Sequence, residues 1–264
     1  MAAKPVACAS APPLEACLHE GWGCIVLQRP HKANAYNAPM LESLRSVLRQ
    51  WKQEGAQALI IKSAQPRFFC AGADKDELRA RSGVDAFDLL AREVFAELYA
   101  WPGLTLAVIE GAARGGGVEL ALACDLRLVT AQASFAFPEL SLGLMPAAGG
   151  IGRLTQLVGP GLTKSMVLAS QVLGGSEAHA AGLAAYFCQD GTAANALAER
   201  LARRAASQDK AALLLAKQQC NAAACGSWGR EAQAAFEGAA QAFLYERRAQ
   251  ALSQALGKEQ HFHG

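Results

Sequence analysis

An α/β fold is predicted for this chain by three features of its sequence. Short apolar runs alternate with segments whose apolar residues recur at helical spacing, the connections between them are brief, and the C-terminal third reads mostly as helix. Parallel strands need crossover helices, so strand-then-helix order of this kind points to a largely parallel sheet.

Taken in order, residues 1–14 are mostly Ala, Ser, Cys and Pro and read as a frayed tail. Leu14 to Glu20 and Trp22 to Gln28, parted by Gly21, read as a hairpin that Arg29-Pro30 ends. Ala38 to Gly55 carries Leu41, Leu44, Val47, Leu48 and Trp51 at helical spacing, and Ala58 to Lys62 suits a buried strand. The alternation continues with a helix over Asp85 to Tyr99, a strand over Leu104 to Ile109, a helix over Gly116 to Cys124 and an extended run over Leu126 to Thr130. After Gly159 the pattern is helical at Leu162 to Ala169, Ser176 to Leu183, Ala193 to Ala206, Lys210 to Ala224 and Trp228 to Leu256, with one strand, Ala185 to Cys188, interposed. No internal repeat or low-complexity linker divides the chain, so residues 193–264 read as a helical extension of a core over residues 1–192.

Composition narrows the function. With 52% hydrophobic and 18% charged residues among 264, the chain should fold. A net charge of +2, with no basic run longer than two, points to no nucleic-acid partner. No apolar run approaches the 18 or so residues of a membrane span, and the N-terminal segment lacks the apolar stretch of a signal peptide. A cytoplasmic protein without a membrane partner is expected. The 8 cysteines form no C-x-x-C pair and stand near no histidine at ligand spacing, so no metal site is expected, and most should be buried as small hydrophobes.

Three segments concentrate small residues and acids where strands hand over to loops or helices. In Phe68-Phe69-Cys70-Ala71-Gly72-Ala73-Asp74 the small side chains let a ligand approach the backbone; a tight turn capped by Asp74 fits the same residues. In Arg114-Gly115-Gly116-Gly117-Val118-Glu119 three glycines open a helix whose first N–H groups and dipole favour an oxyanion, although glycines serving only helix packing would look alike. The spacing is not that of a dinucleotide-binding fingerprint. In Phe137-Pro138-Glu139-Leu140 the acid lies among apolar neighbours that would raise its pKa and keep it protonated as a general acid; a buried carboxyl capping a turn is the alternative.

Together these segments resemble the enoyl-CoA hydratase/isomerase family, the crotonase superfamily. The resemblance runs from about Leu14 to Ala224 and rests on Arg29-Pro30 with Asn34-Ala35, Phe69 to Asp74, Gly115-Gly116-Gly117-x-Glu119-Leu120-Ala121 with Cys124-Asp125, and Pro138-Glu139 with Gly143 and Pro146; Ala178 to Leu183 looks like the family's A-x-x-x-G-L segment. It implies the ClpP/crotonase spiral of ββα units with a helical C-terminal region serving trimerisation. It also implies a coenzyme A thioester whose carbonyl oxygen is held in an oxyanion hole by the N–H groups of Ala73 and Gly116. Glu119 would be the base that activates water for attack at C3, and Glu139 the acid that protonates C2. Ala33, Ala35, Ala71, Gly72, Asp74, Gly115, Pro138 and Ala147 would bind substrate, with coenzyme A part of the substrate and no separate cofactor.

The resemblance thus implies reversible hydration of a 2-enoyl-CoA to a 3-hydroxyacyl-CoA in fatty acid metabolism, by a homotrimer or hexamer. A Δ3,Δ2-enoyl-CoA isomerase, another acyl-CoA reaction of the superfamily, or a non-catalytic acyl-CoA- or RNA-binding relative are the alternatives. Four positions depart from the family pattern: Ala147 replaces a glycine beside the water, Lys75 replaces an apolar residue, Arg114 replaces a small or apolar one, and the C-terminal ending is matched only by Glu237-Gly238, Ala242-Phe243 and Arg247-Arg248. Arg114 would either meet an anionic acyl group or point outward.

Overall fold

The structure, a computed structural model, describes residues 7–11, 13–80, 89–226 and 230–260. The chain divides into two compact units, Met1–Ser207 and Gln208–Gly264.

The first unit begins with an antiparallel ribbon of β1 (Ala7–Ala11), β2 (Leu14–His19) and β3 (Trp22–Leu27). Residues 7–11 were expected to be frayed, and they are instead the outermost strand, paired from Ala7↔Leu18 to Ala11↔Leu14. The reason is that a strand edge needs backbone partners, and this pairing asks nothing of side-chain type. α1 (Ala38–Gln53) then crosses to β4 (Ala58–Ser63), which lies parallel to β3. Asn37 caps α1, its side chain accepting from the Met40 N–H (3.2 Å), and the face Met40, Leu41, Leu44, Leu48 and Trp51 is buried. Trp51 presses so closely on the ribbon that a Cβ at Gly23 would lie 2.1 Å from its ring.

From β4 onward one unit recurs: a strand in the large sheet, a short strand in a second sheet, then helix. β4 is followed by β5 (Phe68–Cys70), α2 (Lys75–Ala80) and α3 (Leu90–Tyr99). β6 (Leu104–Ile109) leads to β7 (Ala112–Arg114) and α4 (Gly116–Ala123), and β8 (Leu126–Val129) to β9 (Ser134–Ala136) and α5 (Gly150–Leu168). β10 (Leu173–Gly174), α6 (Gly175–Ala180), β11 (Tyr186–Phe187) and α7 (Gly191–Ala206) complete the unit. The large sheet has the order β1-β2-β3-β4-β6-β8-β11, parallel from β3 onward; the small one runs β10-β9-β7-β5, with β5, β7 and β9 parallel. The expected α/β fold of repeated ββα units is the fold found.

The proposed start of a helix at Asp85 lies outside the described residues. α5 begins at Gly150, well before the expected Leu162, and continues past a break at Gly159 (φ 75°) ahead of Pro160. The glycines hide this first turn from any periodicity. The first unit runs through Ser207 and includes α7, which buries Ala194, Ala198, Ala202 and Ala205, a small-residue stripe that lets it pack close on β4 and β6. Asn195 fastens it, accepting from Lys62 Nζ (2.9 Å) and donating to Glu110 (3.1 Å).

Arg127 is a buried cation with backbone partners. Its guanidinium donates to the carbonyls of Leu183, Ala121, Cys124 and Asp125 (2.5, 3.2, 2.7 and 3.1 Å), tying the end of α4 to the α6–β11 connection. Cys70, Cys124 and Cys188 are buried and outside any disulfide, as expected, whereas Cys17 is disulfide-bonded.

The second unit holds α8 (Lys210–Cys225) and α9 (Arg230–Gln260). Asp209 caps α8 by accepting from the Ala211 and Ala212 N–H groups and pairs with Arg247 (3.2 Å). Among the described residues no helix is long and apolar enough to cross a membrane, and no His/Cys/Asp/Glu cluster could hold a metal ion.

Candidate active site

β5, β7 and β9 run side by side in one direction, so the segments leaving their C-terminal ends emerge together. Those segments are Ala71–Asp74, Gly115–Glu119 and Phe137–Glu139, the three that the sequence reading singled out. Parallel sheets commonly place their sites at this edge.

The 71–74 turn is held from behind. The Ala71 N–H donates to the Ala33 carbonyl (3.0 Å), the Tyr36 N–H to the Gly72 carbonyl (2.8 Å) and the Asp74 N–H to the Tyr36 carbonyl (2.8 Å). This bridge uses the groups on either side of Ala73 and leaves the Ala73 N–H outside it. Ala33 and Asn34 both have positive φ, and buried Asn34 stabilises that bend by accepting from the Arg29 N–H and donating to Ser63 and Phe69. Ala33 and Ala35 therefore form the wall behind the turn, with the Ala35 carbonyl accepting from Arg29 (2.7 Å). Asp74 is engaged by an Arg29 ion pair (2.6 Å) and by the Asp76 N–H (2.9 Å). First that N–H, then Arg29, holds its carboxyl below the usual range.

Gly72 meets the start of α4: a Cβ there would lie 3.2 Å from the Gly116 nitrogen. Gly116 is the first residue of α4, whose N–H has no acceptor within the helix. A Cβ on Gly116 would lie 2.1 Å from the Tyr36 hydroxyl, so only glycine fits. Tyr36 was not among the expected site residues. Gly115 has φ 51° and faces the other acid, since its Cβ would lie 2.6 Å from Glu139 Oε1.

One turn into α4, Glu119 is 3% exposed. Its Oε1 accepts from the N–H groups of Ala148 (2.8 Å) and Gly150 (2.9 Å) at the start of α5. Burial pushes its pKa up, and the N–H groups of Gly150 and Ala148, the Arg153 charge and the Ala147 N–H oppose that push. Glu139 opens the 3-10 turn Glu139–Leu142. Its Oε2 is buried without a hydrogen-bond partner, and burial, with Glu119's charge adding, lifts its pKa from 4.5 to about 7 against its own backbone N–H. The two carboxyls are thus unlike: one collects N–H donors, the other favours a proton.

The remaining positions are placed plainly. Ala147 is half-buried, with its carbonyl accepting from Arg92 Nε (3.0 Å). Pro138 and Ala71 are exposed, as is Lys75 at the start of α2. Arg114, expected either to meet an anionic acyl group or to point outward, is half-buried and donates to the Ala113 and Ser134 carbonyls and to the Ser134 hydroxyl (2.9, 2.8 and 2.9 Å), fastening β7 to β9. Arg92 on α3 and Arg153 on α5, which donate to the Ala147 and Ala148 carbonyls of the 147–150 turn, carry no signal in the sequence that marks them.

Comparisons with known proteins place the chain in a family. The family model described as enoyl-CoA hydratase/isomerase matches residues 19–253. The chain is 40% identical over 160 residues to the probable enoyl-CoA hydratase 2, mitochondrial, of Arabidopsis thaliana, a match covering 60% of this chain and 53%, about half, of that protein. It is 36% identical over 211 residues to the mitochondrial methylglutaconyl-CoA hydratase of Mus musculus, covering 76% of this chain and 67% of the relative. The crystal structure of an enoyl-CoA hydratase from Bacillus anthracis superimposes with a TM-score of 0.81 at 27% identity, covering 97% of each chain.

Proposed function

The chain belongs to the enoyl-CoA hydratase/isomerase family, the crotonase superfamily, and from that premise we propose that it reversibly hydrates a 2-enoyl-CoA to a 3-hydroxyacyl-CoA. The observation that carries this reading is the unlike pair of carboxyls bracketing the start of α4, Glu119 with its backbone N–H donors and Glu139 with a pKa of about 7.

The proposed chemistry follows from that asymmetry. The thioester oxygen accepts from the N–H groups of Ala73 and Gly116, which stabilise the negative charge that gathers there as the C2–C3 double bond is attacked. Glu119, ionised, takes one proton from a water molecule while the water oxygen bonds to C3. Glu139, neutral, gives its proton to C2 as the enolate collapses back to the thioester. One water has then been added across the double bond, Glu119 carries a proton and Glu139 a charge, and proton exchange with solvent resets the pair. Nothing in this sequence needs a cofactor beyond the coenzyme A of the substrate. Lone isomerisation needs only one acid–base group, so a pair in which one carboxyl is held by backbone N–H donors and the other is raised to about 7 supports hydration.

The experiment is a panel of 2-enoyl-CoA thioesters of increasing chain length, followed by loss of conjugated absorbance. Saturable loss with a hydroxyacyl product is expected; a folded protein that binds acyl-CoA and turns over none of them would contradict the proposal. The same reading includes assembly as a homotrimer or hexamer, supported by exposed apolar side chains such as Leu142, Met145 and Leu168.

A further inference from the structure

We propose that Arg153 is the positioning residue of Glu119, acting through the 147–150 turn; the inference rests on the role given to Glu119 above. Arg153 stands one turn into α5. Its Nη1 donates to the Ala148 carbonyl (3.0 Å), and its guanidinium lies over the Tyr99 ring, 4.9 Å from the centroid. It also packs flat against Gly149, where a Cβ would come within 2.8 Å of Nη1, and Gly149 has φ 92°. The side chain therefore clasps the turn at Ala148 and Gly149. The N–H groups that bind Glu119 belong to Ala148 and Gly150. Holding the carbonyl of one peptide and the face of the next fixes the direction in which those N–H groups point.

The clasp is electrostatic as well as steric. Among the described residues Arg153 makes no ion pair, and it is half-buried. The charged and titratable groups around it are the Tyr99 phenol on α3, the Cys124 thiol just after α4, and Glu119 itself. Glu119 in turn is faced by Glu139 across the start of α4, and by Arg153. Arg92, exposed on α3, touches the same turn from outside, at the Ala147 carbonyl. Arg153 is thus the cation whose field acts on Glu119 through a medium poorer in water than the surface, where a charge at a distance still counts. It touches no reacting atom, and its effect passes entirely through the carboxylate it orients.

The test uses Arg153→Met and Arg153→Lys in the full chain. The primary readout is the carbon-13 carboxyl titration of Glu119 in the free protein, assigned by its disappearance in Glu119→Gln; this measurement does not depend on turnover. Arg153→Met should raise the Glu119 midpoint by about one pH unit. Arg153→Lys, which keeps the charge but loses the planar guanidinium and its bond to the Ala148 carbonyl, should raise it less and serves as the readout where the Met variant does not fold. In turnover, the acid limb of kcat/KM should move up in step, with kcat lower by roughly 10-fold and KM little changed. A Glu119 midpoint unchanged in a folded variant overturns the positioning role. A shifted midpoint in a protein without hydratase activity would leave the positioning role standing and sink the functional reading instead.

Discussion

Glu139→Gln should gain stability relative to the parent as pH rises, while disabling the protein. Burial, with the charge of Glu119 adding, lifts the Glu139 pKa from 4.5 to about 7, so the folded protein holds this proton more tightly than the unfolded chain does. The sign follows. Below about 4.5 both states are protonated and the site is neutral to stability; as pH rises toward 7 the unfolded chain has released its proton and the folded one has not, so stability falls, levelling off above 7. A shift of about 2.5 units corresponds to roughly 3.4 kcal/mol, and because Glu139 is only half-buried, solvent screening reduces this to about 1–2 kcal/mol. Glutamine carries no charge at any of these pH values. It also brings an amide N–H with no assured acceptor, but that offset is the same at every pH. The measurable quantity is therefore the change, between about pH 5 and about pH 8, in the stability difference between variant and parent, read by urea denaturation at fixed protein concentration. It should move by about 1–2 kcal/mol in favour of glutamine as pH rises. An unchanged difference at the two pH values would refute the claim that Glu139 is held protonated by its surroundings.

Glu119→Gln and Glu139→Gln should each lower hydratase turnover by roughly 10²-fold, and the double variant should lose far less than the product, because both groups serve one water. In the parent enzyme kcat/KM should fall as pH rises through about 7, where Glu139 loses its proton; a flat profile there would remove it as the acid. Arg127→Met should lower stability to denaturant by about 2–4 kcal/mol, because four carbonyls, three of them in buried bonds, lose their shared donor; near-parent stability would show that these carbonyls find other partners. Light scattering at micromolar concentration should give about three or six times the monomer mass, and a monomeric mass would contradict the proposed assembly.

Much of this was legible because the relevant chemistry is local. α1 announces itself through five apolar residues on one face, and the site segments through small residues and acids at the ends of strands. What escaped depends on partners distant in the chain. β5, β7, β9 and β10 have two or three residues each, too few for any alternation, and exist because their neighbours complete them. β1 is seen through its backbone pairing, and the first turn of α5 is made of glycines that carry no periodicity. Arg127 and Arg153 looked like ordinary charges because their partners are carbonyls and a ring, which leave no charge pattern to read. Arg114 was weighed as a substrate contact or a surface group, and neither reading considered that a guanidinium can fasten two strands through Ser134.

The central claim is that Glu119 and Glu139 add one water across the double bond of a bound enoyl thioester. The most direct measurement is to supply a short 2-enoyl-CoA in oxygen-18 water, and separately in deuterium oxide, and to analyse the product by mass spectrometry and NMR. The account requires a 3-hydroxyacyl-CoA carrying the heavy oxygen at C3 and, in the second solvent, one deuterium at C2. A product with the double bond moved and no heavy oxygen, or no product from a folded protein that binds the thioester, would contradict it.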